Sequence, residues 1–553
     1  MAIWSPEQRS VVSRFRDYRF PGTSVGLAML LMSLAATAGA DPFRTRELIV
    51  PGRVLQVWGA QFGAPCPSGG RNVFVLSVAG TAPHEQRRAT AFPCAETWPE
   101  TGLIAPFWSV IVPNHVIGID TAETSPEWPG DEMLWVSASG LQLRSGDGTD
   151  TVRVVAGSAG LPLPDRTRSI SRLPVAGDWN NDGSTSVLLP TSNGVRWIRL
   201  ADGAQRELAL PIEADYRTAS NAPPAGLPKL ARVTLNWPEL RRADDDGDGA
   251  LDLFALWRFG VWVFRLSGDG LTTHGPDGIR IEPTRRSEFQ PFDDKQEIRH
   301  EASSVQLFVN DMNRDGLADL VVDRTIGSML NSSASTDVHL NDGSGVRLDN
   351  SPAARLETEG AIQGIDVVDL DGDGSSELFQ TLLNFNAVQM LRFVVTGRTR
   401  VEFAVLALDP ESETGFRKSW SDDVSLGIDW ETGRITGLFP DLRGDWNSDG
   451  RPDLVYPSGE NEVAFRIGKP TDDGPGFSRP VAKQRFPLTA GKIWPEDLDG
   501  DGLTDMVAFD ERDPAGEIFV LLNRGEIEGT PVKPASNDTN ARNKNPQPTA
   551  VSR

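Results

Sequence analysis

Six segments of this chain set side-chain oxygens at alternate places of a nine-residue pattern, D-x-[DN]-x-D-G-x-x-[DE]. They begin at Asp178, Asp244, Asp311, Asp369, Asp445 and Asp497, with starts 66, 67, 58, 76 and 52 residues apart. If the backbone curls tightly, the oxygens of positions 1, 3 and 5 converge on one point. Glycine at position 6 supplies a positive-φ turn that a Cβ would resist. The carbonyl of position 7 and the carboxylate of position 9 then complete a shell of hard donors. About six to eight oxygens in a flexible array suit Ca2+, whereas Mg2+ demands a tighter octahedron. No His or Cys lies within any loop, so zinc and copper are not expected.

The candidate ligands follow loop by loop. They are Asp178, Asn180, Asp182 and the carbonyl of Ser184; Asp244, Asp246, Asp248, the carbonyl of Ala250 and Asp252; and Asp311, Asn313, Asp315, the carbonyl of Leu317 and Asp319. The later loops offer Asp369, Asp371, Asp373, the carbonyl of Ser375 and Glu377; Asp445, Asn447, Asp449, the carbonyl of Arg451 and Asp453; and Asp497, Asp499, Asp501, the carbonyl of Leu503 and Asp505. The first loop ends in Ser186 where the others have an acid, so five to six Ca2+ sites are expected. A shell of four or five protein oxygens leaves little open coordination for catalysis. At ~1 mM Ca2+ and a dissociation constant near 0.1 mM, each site adds about 1.4 kcal/mol, which makes a structural role the expectation.

These loops need strands to hold them. Val305-Gln306-Leu307-Phe308-Val309 precedes one loop in strand-like alternation, and Leu320-Val321-Val322, Leu454-Val455-Tyr456 and Met506-Val507-Ala508-Phe509 follow others at once. An EF-hand would have its bidentate Glu at position 12 and flanking helices, so the loops read as β-hairpin connections. A second recurrent element lies downstream: a strand ending in a Gly-rich turn, as in Val338-His339-Leu340-Asn341-Asp342-Gly343 and Phe519 to Gly525. Each unit of about 60 residues therefore reads strand, metal loop, strand, strand, turn, strand. Four short strands per repeat with no helical periodicity predict a β-propeller blade.

Here the loops, their trailing strands and the LNDGSG-type turns resemble the FG-GAP/VCBS repeat family, which includes the propeller heads of integrin α chains and many secreted bacterial proteins. The resemblance covers about residues 110–528. It implies Ca2+ bound by loop positions 1, 3, 5 and 9 with the position-7 carbonyl, on one face of a propeller. Ser186 departs from that pattern. A degenerate unit precedes the six: Asp131 to Val136 has the shape of a loop exit strand, and Leu141 to Gly148 that of the later strand and turn. The expectation is an all-β protein, a propeller of seven four-stranded blades, with eight as the alternative. Residues 41–109 would then be a closing strand, a cap or an extra blade.

The first 40 residues read as an address. Arg9, Arg14, Arg16 and Arg19 precede an apolar run from Val25 to Leu34, and Ala38 and Ala40 stand at the −3 and −1 places of a signal-peptidase site. The run is short of the roughly 20 residues that span a bilayer. A Gly22-Thr23-Ser24-Val25-Gly26 match to the serine-hydrolase elbow falls inside this segment, without the strand and helix the elbow needs. Export to the periplasm or beyond permits a disulfide. Cys66 and Cys94, the two cysteines of the chain, would close a loop worth about 3 kcal/mol, or else lie as two buried thiols. Residues 529–553 are polar and proline-bearing and read as disordered.

Composition limits the partners. With 77 acidic residues against 54 basic and a net charge of −23, a nucleic-acid partner is excluded on phosphate electrostatics, and no second stretch could span a membrane. No catalytic residue is assignable: the five histidines are scattered, and no Walker or H-E-x-x-H motif occurs. Arg443-Gly444-Asp445 resembles an attachment tripeptide, but Asp445 is a loop ligand. Trp179 and Trp446, at position 2 of two loops, either pack between blades or stack on sugar rings. The leading expectation is a monomeric, exported, non-catalytic binding module with a protein or glycan ligand on a propeller face. The alternatives are a polysaccharide lyase or glycan hydrolase, or a carbohydrate-binding lectin. A cluster of Arg, His or Tyr beside paired acids at the mouth of the ring would favour the enzyme.

Overall fold

The structure is a computed structural model. It describes residues 42–527 except for 157–169, 219–230, 281–303 and shorter stretches of one to five residues. The expected signal segment and polar tail lie outside the described residues. Eight antiparallel sheets form a ring, one blade each.

Blade 1 runs Arg53–Ala60, Asn72–Ala79, Gln86–Cys94 and Trp108–Val112; blade 2 runs Val116–Ala122, Glu132–Ser137, Gly140–Arg144 and Val152–Ala156. Blades 3 and 4 are Ala176–Gly177, Ser186–Thr191, Gly194–Arg199, Gln205–Leu208, and Glu239–Ala243, Asp252–Trp257, Gly260–Ser267, Gly270–Thr273. Blade 5 comprises Ser304–Asn310, Asp319–Ser328, Asn331–His339 and Ala354–Glu359; blade 6 begins Ala361–Val368, Glu377–Asn384, Arg398–Leu408 and Phe416–Asp429. Blade 7 is Asp441–Gly444, Asp453–Gly459, Glu462–Arg466 and Ala482–Arg485. Blade 8 has only three strands from its own stretch, Lys492–Glu496, Asp505–Phe509 and Glu517–Asn523, and takes its fourth, Phe43–Ile49, from the N-terminal end.

The ring is thus closed by a strand from one end pairing with a strand from the other, in register from Phe43↔Asn523 to Ile49↔Glu517. The ring has eight blades, the alternative to the favoured seven, and residues 109 and 110 both lie within the last strand of blade 1, Trp108–Val112. Residues 41–109 supply both the closing strand and most of a blade. The acid repeat did not mark that blade because its corresponding loop, 61–71, carries no D-x-D-x-D run.

The packing explains the sequence pattern. Middle strands are covered by the adjacent blade on each side, so they read as near-continuous apolar runs; every residue of Glu132–Ser137 is buried. Outer strands alternate, as in Ala354–Glu359, where only Ala354 is fully buried. Eight hydrophobic clusters fill the eight junctions. One joins Val57 and Val75 of blade 1 to Val507 and Val520 of blade 8. Another joins Phe254 and Val263 of blade 4 to Leu320 and Val322 of blade 5, and a third sets Phe379 and Phe403 of blade 6 against Leu454 and Tyr456 of blade 7.

Additions interrupt the plan. A short helix, Ala387–Thr396, stands between the second and third strands of blade 6, contrary to the expectation of no helix. Ser171–Arg172 pairs in parallel with Gly118–Ile119, at the inner edge of blade 2. No helix among the described residues is long and apolar enough to cross a membrane.

Candidate metal centres and the axial cavity

All six acidic loops join the first strand of a blade to the second, with position 9 opening the second strand. Position 6 has positive φ in each, from 80° at Gly183 to 95° at Gly374. Position 4 is left-handed as well: at glycine in three loops, and at Arg314 (63°) and Ser448 (55°) in two others. The sequence signal for position 4 was the glycine at 247, 372 and 500, which the nine-residue pattern leaves unspecified.

The position-1 carboxylate organises each loop. Asp311 Oδ1 accepts from the Arg314 N–H at 2.7 Å and Oδ2 from the Gly316 N–H at 2.9 Å. Asp369 accepts equivalently from Gly372 and Gly374, and Asp497 from Gly500 and Gly502. The position-5 carboxylate accepts from the N–H of position 7, as Asp501 does from Leu503 at 2.8 Å. Position 9 is buried in every loop, and where it is acidic one of its oxygens accepts from the N–H of position 2. Asp505 takes Leu498 at 2.9 Å, Asp453 takes Trp446 at 2.8 Å and Glu377 takes Leu370 at 2.9 Å.

Three loops bring carboxylate oxygens within 4.8 Å of one another: Asp244, Asp246 and Asp248; Asp369, Asp371 and Glu377; Asp497, Asp499 and Asp505. Burial first and neighbouring acids after it push Glu377 up to about 8 and Asp499 up to about 6. Burial likewise raises Asp453 to about 7 and Asp319 to about 6. In the loops with Asn at position 3, the amide donates to the position-5 carboxylate: Asn180 to Asp182, Asn313 to Asp315 and Asn447 to Asp449, at 2.8 to 3.0 Å.

The donors fit a hard cation. Asn180 Oδ1 and Asp499 Oδ1, both position-3 oxygens, and Ser186 Oγ at position 9 are buried without a hydrogen-bond partner among the described residues. Such orphaned oxygens cost about 1–3 kcal/mol each unless something meets them. Arginine reaches three of the loops: Arg265 pairs with Asp246 at 3.0 Å, Arg451 with Asp449 at 2.8 Å, and Arg199 approaches Asp182 at 4.0 Å. No ion pair to a ligand acid of the Asp369 or Asp497 loop is formed among the described residues, so these two four-acid loops present the most concentrated negative charge.

The loops are also linked around the ring, which the motif did not foretell. Position 8 of one loop contacts the preceding blade's loop: Ala318 N–H to Asp244 O at 2.8 Å, Ser376 N–H to Asp311 O at 2.9 Å and Thr185 Oγ1 to Glu123 O at 2.7 Å. The chain of contacts crosses the closure, where the Arg71 N–H donates to Leu498 O at 2.7 Å. Between blades 6 and 7 the position-8 residue is Pro452, which has no N–H to give.

Cys66 and Cys94 are bonded, with Cα atoms 5.8 Å apart. The bridge ties the first-to-second-strand loop of blade 1 to the end of that blade's third strand, in the place where other blades have acids. Asn72, at the position-9 place, accepts from the Phe62 N–H at 2.8 Å, as the acids do elsewhere. Glu132 fills that place in blade 2 and accepts from the Thr124 N–H at 2.6 Å.

Both loop tryptophans pack at blade junctions. Trp446 is buried in the junction of blades 7 and 8, and Trp179 packs at the junction of blades 3 and 4 with its indole N–H on Val175 O at 3.1 Å. Other aromatic groups face a cavity of about 330 Å3 lined by the first strands of blades 7, 8 and 1. Arg172 lies 4.9 Å over the Trp58 ring and 6.0 Å from that of Trp494, and Arg443 is 5.5 Å from Trp494. Arg443 grips Asp441 at 2.5 Å. Asp366 lines a second cavity, of about 320 Å3, between the first strands of blades 4, 5 and 6. Its side chain is solvent-exposed; desolvation by the surrounding strands first, and then the charge of Asp441, raises its pKa, with Arg443 as a partial offset.

Fold and loops together define an eight-bladed β-propeller with acidic first-to-second-strand loops in six blades. No protein-family description matches the sequence, and no curated protein matches it. Among solved structures, the V. cholerae biofilm matrix protein Bap1 is similar at TM-score 0.37 and 11% identity, over 87% of this chain and 89% of that one. Two structures of Sqt1 from Chaetomium thermophilum give TM-scores of 0.39 and 0.38 at 10% identity, over 87% and 88% of this chain and 98% of theirs.

Proposed function

We propose that this chain is an exported propeller of FG-GAP/VCBS type, in which Ca2+ in the blade loops stabilises the ring and the axial region binds a ligand without transforming it. The observation that supports the ion is the convergence of three acids within 4.8 Å in each of three loops, together with orphaned position-3 oxygens at Asn180 and Asp499. When bound, Ca2+ supplies charge neutralisation for acids that burial otherwise penalises. Asp369, Asp371, Asp373 and Glu377, with Asp497, Asp499, Asp501 and Asp505, would hold it most strongly. The disulfide is compatible with an oxidising compartment. The test is calorimetry with EDTA: the melting temperature should fall substantially, and excess Mg2+ should restore little of it. An unchanged melting curve would remove calcium from the reading.

One observation favours a second reading, a glycan hydrolase or lyase: Asp366, with its raised pKa, feels the charges of both Asp441 and Arg443. Turnover of a polysaccharide that is abolished by Asp366→Asn, with binding retained, would establish it.

A further inference from the structure

We infer that the cavity beside Trp494 is a binding site for one or two rings of a neutral sugar. This rests on the reading of the propeller as a binding module and assigns its ligand class and its place. The cavity, at about 330 Å3, sits at the small end of the about 300–1,000 Å3 typical of ligand pockets. It therefore admits a terminal or branch sugar rather than the body of a folded partner.

The charges decide between an anionic and a neutral ligand. Each cation of the lining already has a carboxylate partner. Arg443 pairs with Asp441 at 2.5 Å, Arg172 with Asp120 at 3.3 Å and Lys492 with Glu511 at 2.7 Å. An anion would have to compete with these carboxylates, so it gains little. A hydroxyl both donates and accepts, and an arginine–carboxylate pair offers donors and acceptors side by side in one plane. Vicinal hydroxyls match that arrangement.

The site is held in shape. Trp494 donates its indole N–H to Glu496 Oε2 at 2.9 Å, and the same carboxylate oxygen accepts the Gly59 N–H at 2.7 Å, which locks the ring between blades 8 and 1. Trp58 is fully buried behind Arg172, its indole N–H on Thr121 Oγ1 at 2.9 Å. Gln56 Oε1 accepts the backbone N–H of Arg172, so the inner-edge strand Ser171–Arg172 is pinned with its guanidinium at the cavity. Trp494, half-buried, is left to offer its remaining surface to a sugar's C–H face, while the ion pairs meet the hydroxyl edge. Arg172 reaches the axis only because Ser171–Arg172 pairs inside blade 2, which is why no linear motif marks the site.

The experiment is titration calorimetry of the calcium-loaded mature chain with neutral gluco-, manno-, galacto- and xylo-oligosaccharides, and with an oligogalacturonate and a glutamate-rich peptide as acidic arms. At least one neutral oligosaccharide should bind with a dissociation constant on the order of 1 mM or tighter. Trp494→Ala should weaken it at least about tenfold and Trp494→Phe much less, with each variant titrated below its own melting transition so that lost packing against the blade junctions is separated from lost binding. Tighter binding of either acidic probe would overturn the neutral-sugar assignment, and equal binding by Trp494→Ala would overturn its location. If no neutral oligosaccharide binds while EDTA still lowers the melting temperature, the sugar assignment falls and the calcium-stabilised propeller stands.

Discussion

The side-chain amide of Asn341 donates to the backbone carbonyl of Asp245 at 2.8 Å, across 96 residues of chain. The same amide reaches Ala318 O at 3.1 Å, and the Asn341 N–H binds Asp319 Oδ1 at 2.8 Å. One asparagine thus joins position 2 of blade 4's loop to positions 8 and 9 of blade 5's. Asn523 repeats the arrangement between blades 7 and 8, bonding to Trp446 O at 2.8 Å, to Thr504 O at 3.2 Å and to Asp505.

Asn341→Ala and Asn523→Ala should each cost about 1–3 kcal/mol, because buried carbonyls lose their donor. Asn523→Ala should be the worse of the two, since it lies in the blade that closes the ring. Urea denaturation measures both; a loss under about 0.5 kcal/mol, the scale of an ordinary surface change, would show that the link is dispensable.

Calcium affinity should follow the local excess of acid over arginine. The Asp497 and Asp369 loops should bind most tightly, and the Asp178 loop, with two ligand acids, Ser186 and nearby Arg199, most weakly. Isothermal titration of Asp178→Ala against Asp497→Ala decides the order. A larger loss of binding heat from Asp178→Ala would reverse it.

Two glycines of the last acidic loop should respond differently to alanine. Gly502 has φ 86° with open space where its Cβ would be, so Gly502→Ala carries backbone strain of about 1–3 kcal/mol. Gly500, at φ 76°, would place a Cβ 2.4 Å from both Gly70 N and Ser68 O. Gly500→Ala must therefore push blade 1's loop away from blade 8 and should be the more damaging. Limited proteolysis should cut the Gly500 variant near Phe43–Ile49 as well as around residue 500. Cuts confined to residue 500 would argue against coupling across the seam.

Acid should favour the region around Asp323. Burial raises its carboxyl pKa, with Thr336 and Gln363 donating to Oδ1 at 2.8 Å as a partial offset. A folded pKa above the unfolded one means that the native state holds its proton more tightly. Stability from this group is greatest below the ordinary carboxylate range and is lost as pH rises through the folded value. Asp323→Asn should flatten the fall in melting temperature from pH 4 upward, measured in EDTA to separate it from the loops. An unaltered pH profile would rule Asp323 out as its source.

Reducing Cys66–Cys94 should remove about 3 kcal/mol, for a closed loop of 28 residues' separation. The loss should be felt first in blade 1, whose 61–71 loop has no acidic repeat. Hydrogen exchange with and without reductant would locate it; uniform deprotection of all blades would contradict that order.

The blade plan was legible because position 9, position 6 and the strands around them are fixed by local chemistry. Asp319 must be buried, Gly316 must turn, and Leu320 to Val322 must be covered by neighbouring blades. Blade 1 was legible only as one of three alternatives, since Asn72 does an acid's work there and a disulfide stands where acids stand elsewhere. The axial cavity was less visible still. Trp58, Arg172, Asp441 and Trp494 come from four separate stretches, and Arg172 arrives on a two-residue strand that no periodicity can reveal. The tryptophans that the motif did bring forward, at 179 and 446, turn inward because position 2 points into a blade junction.

The seam has a mechanical consequence. Phe43 faces Asn523 at one end of the closing pair and Ile49 faces Glu517 at the other, so the flanks preceding Phe43 and following Asn523 leave from the same end. Tension that draws those flanks apart acts on the Phe43–Asn523 pair first and then on each pair in turn, peeling the strand instead of shearing all of them together. The other seven blades, whose strands are each supplied by one continuous stretch, lie outside the line of force. Stretched between its two flanks, the ring should yield at low force by unzipping one strand, and should close again when the load is released.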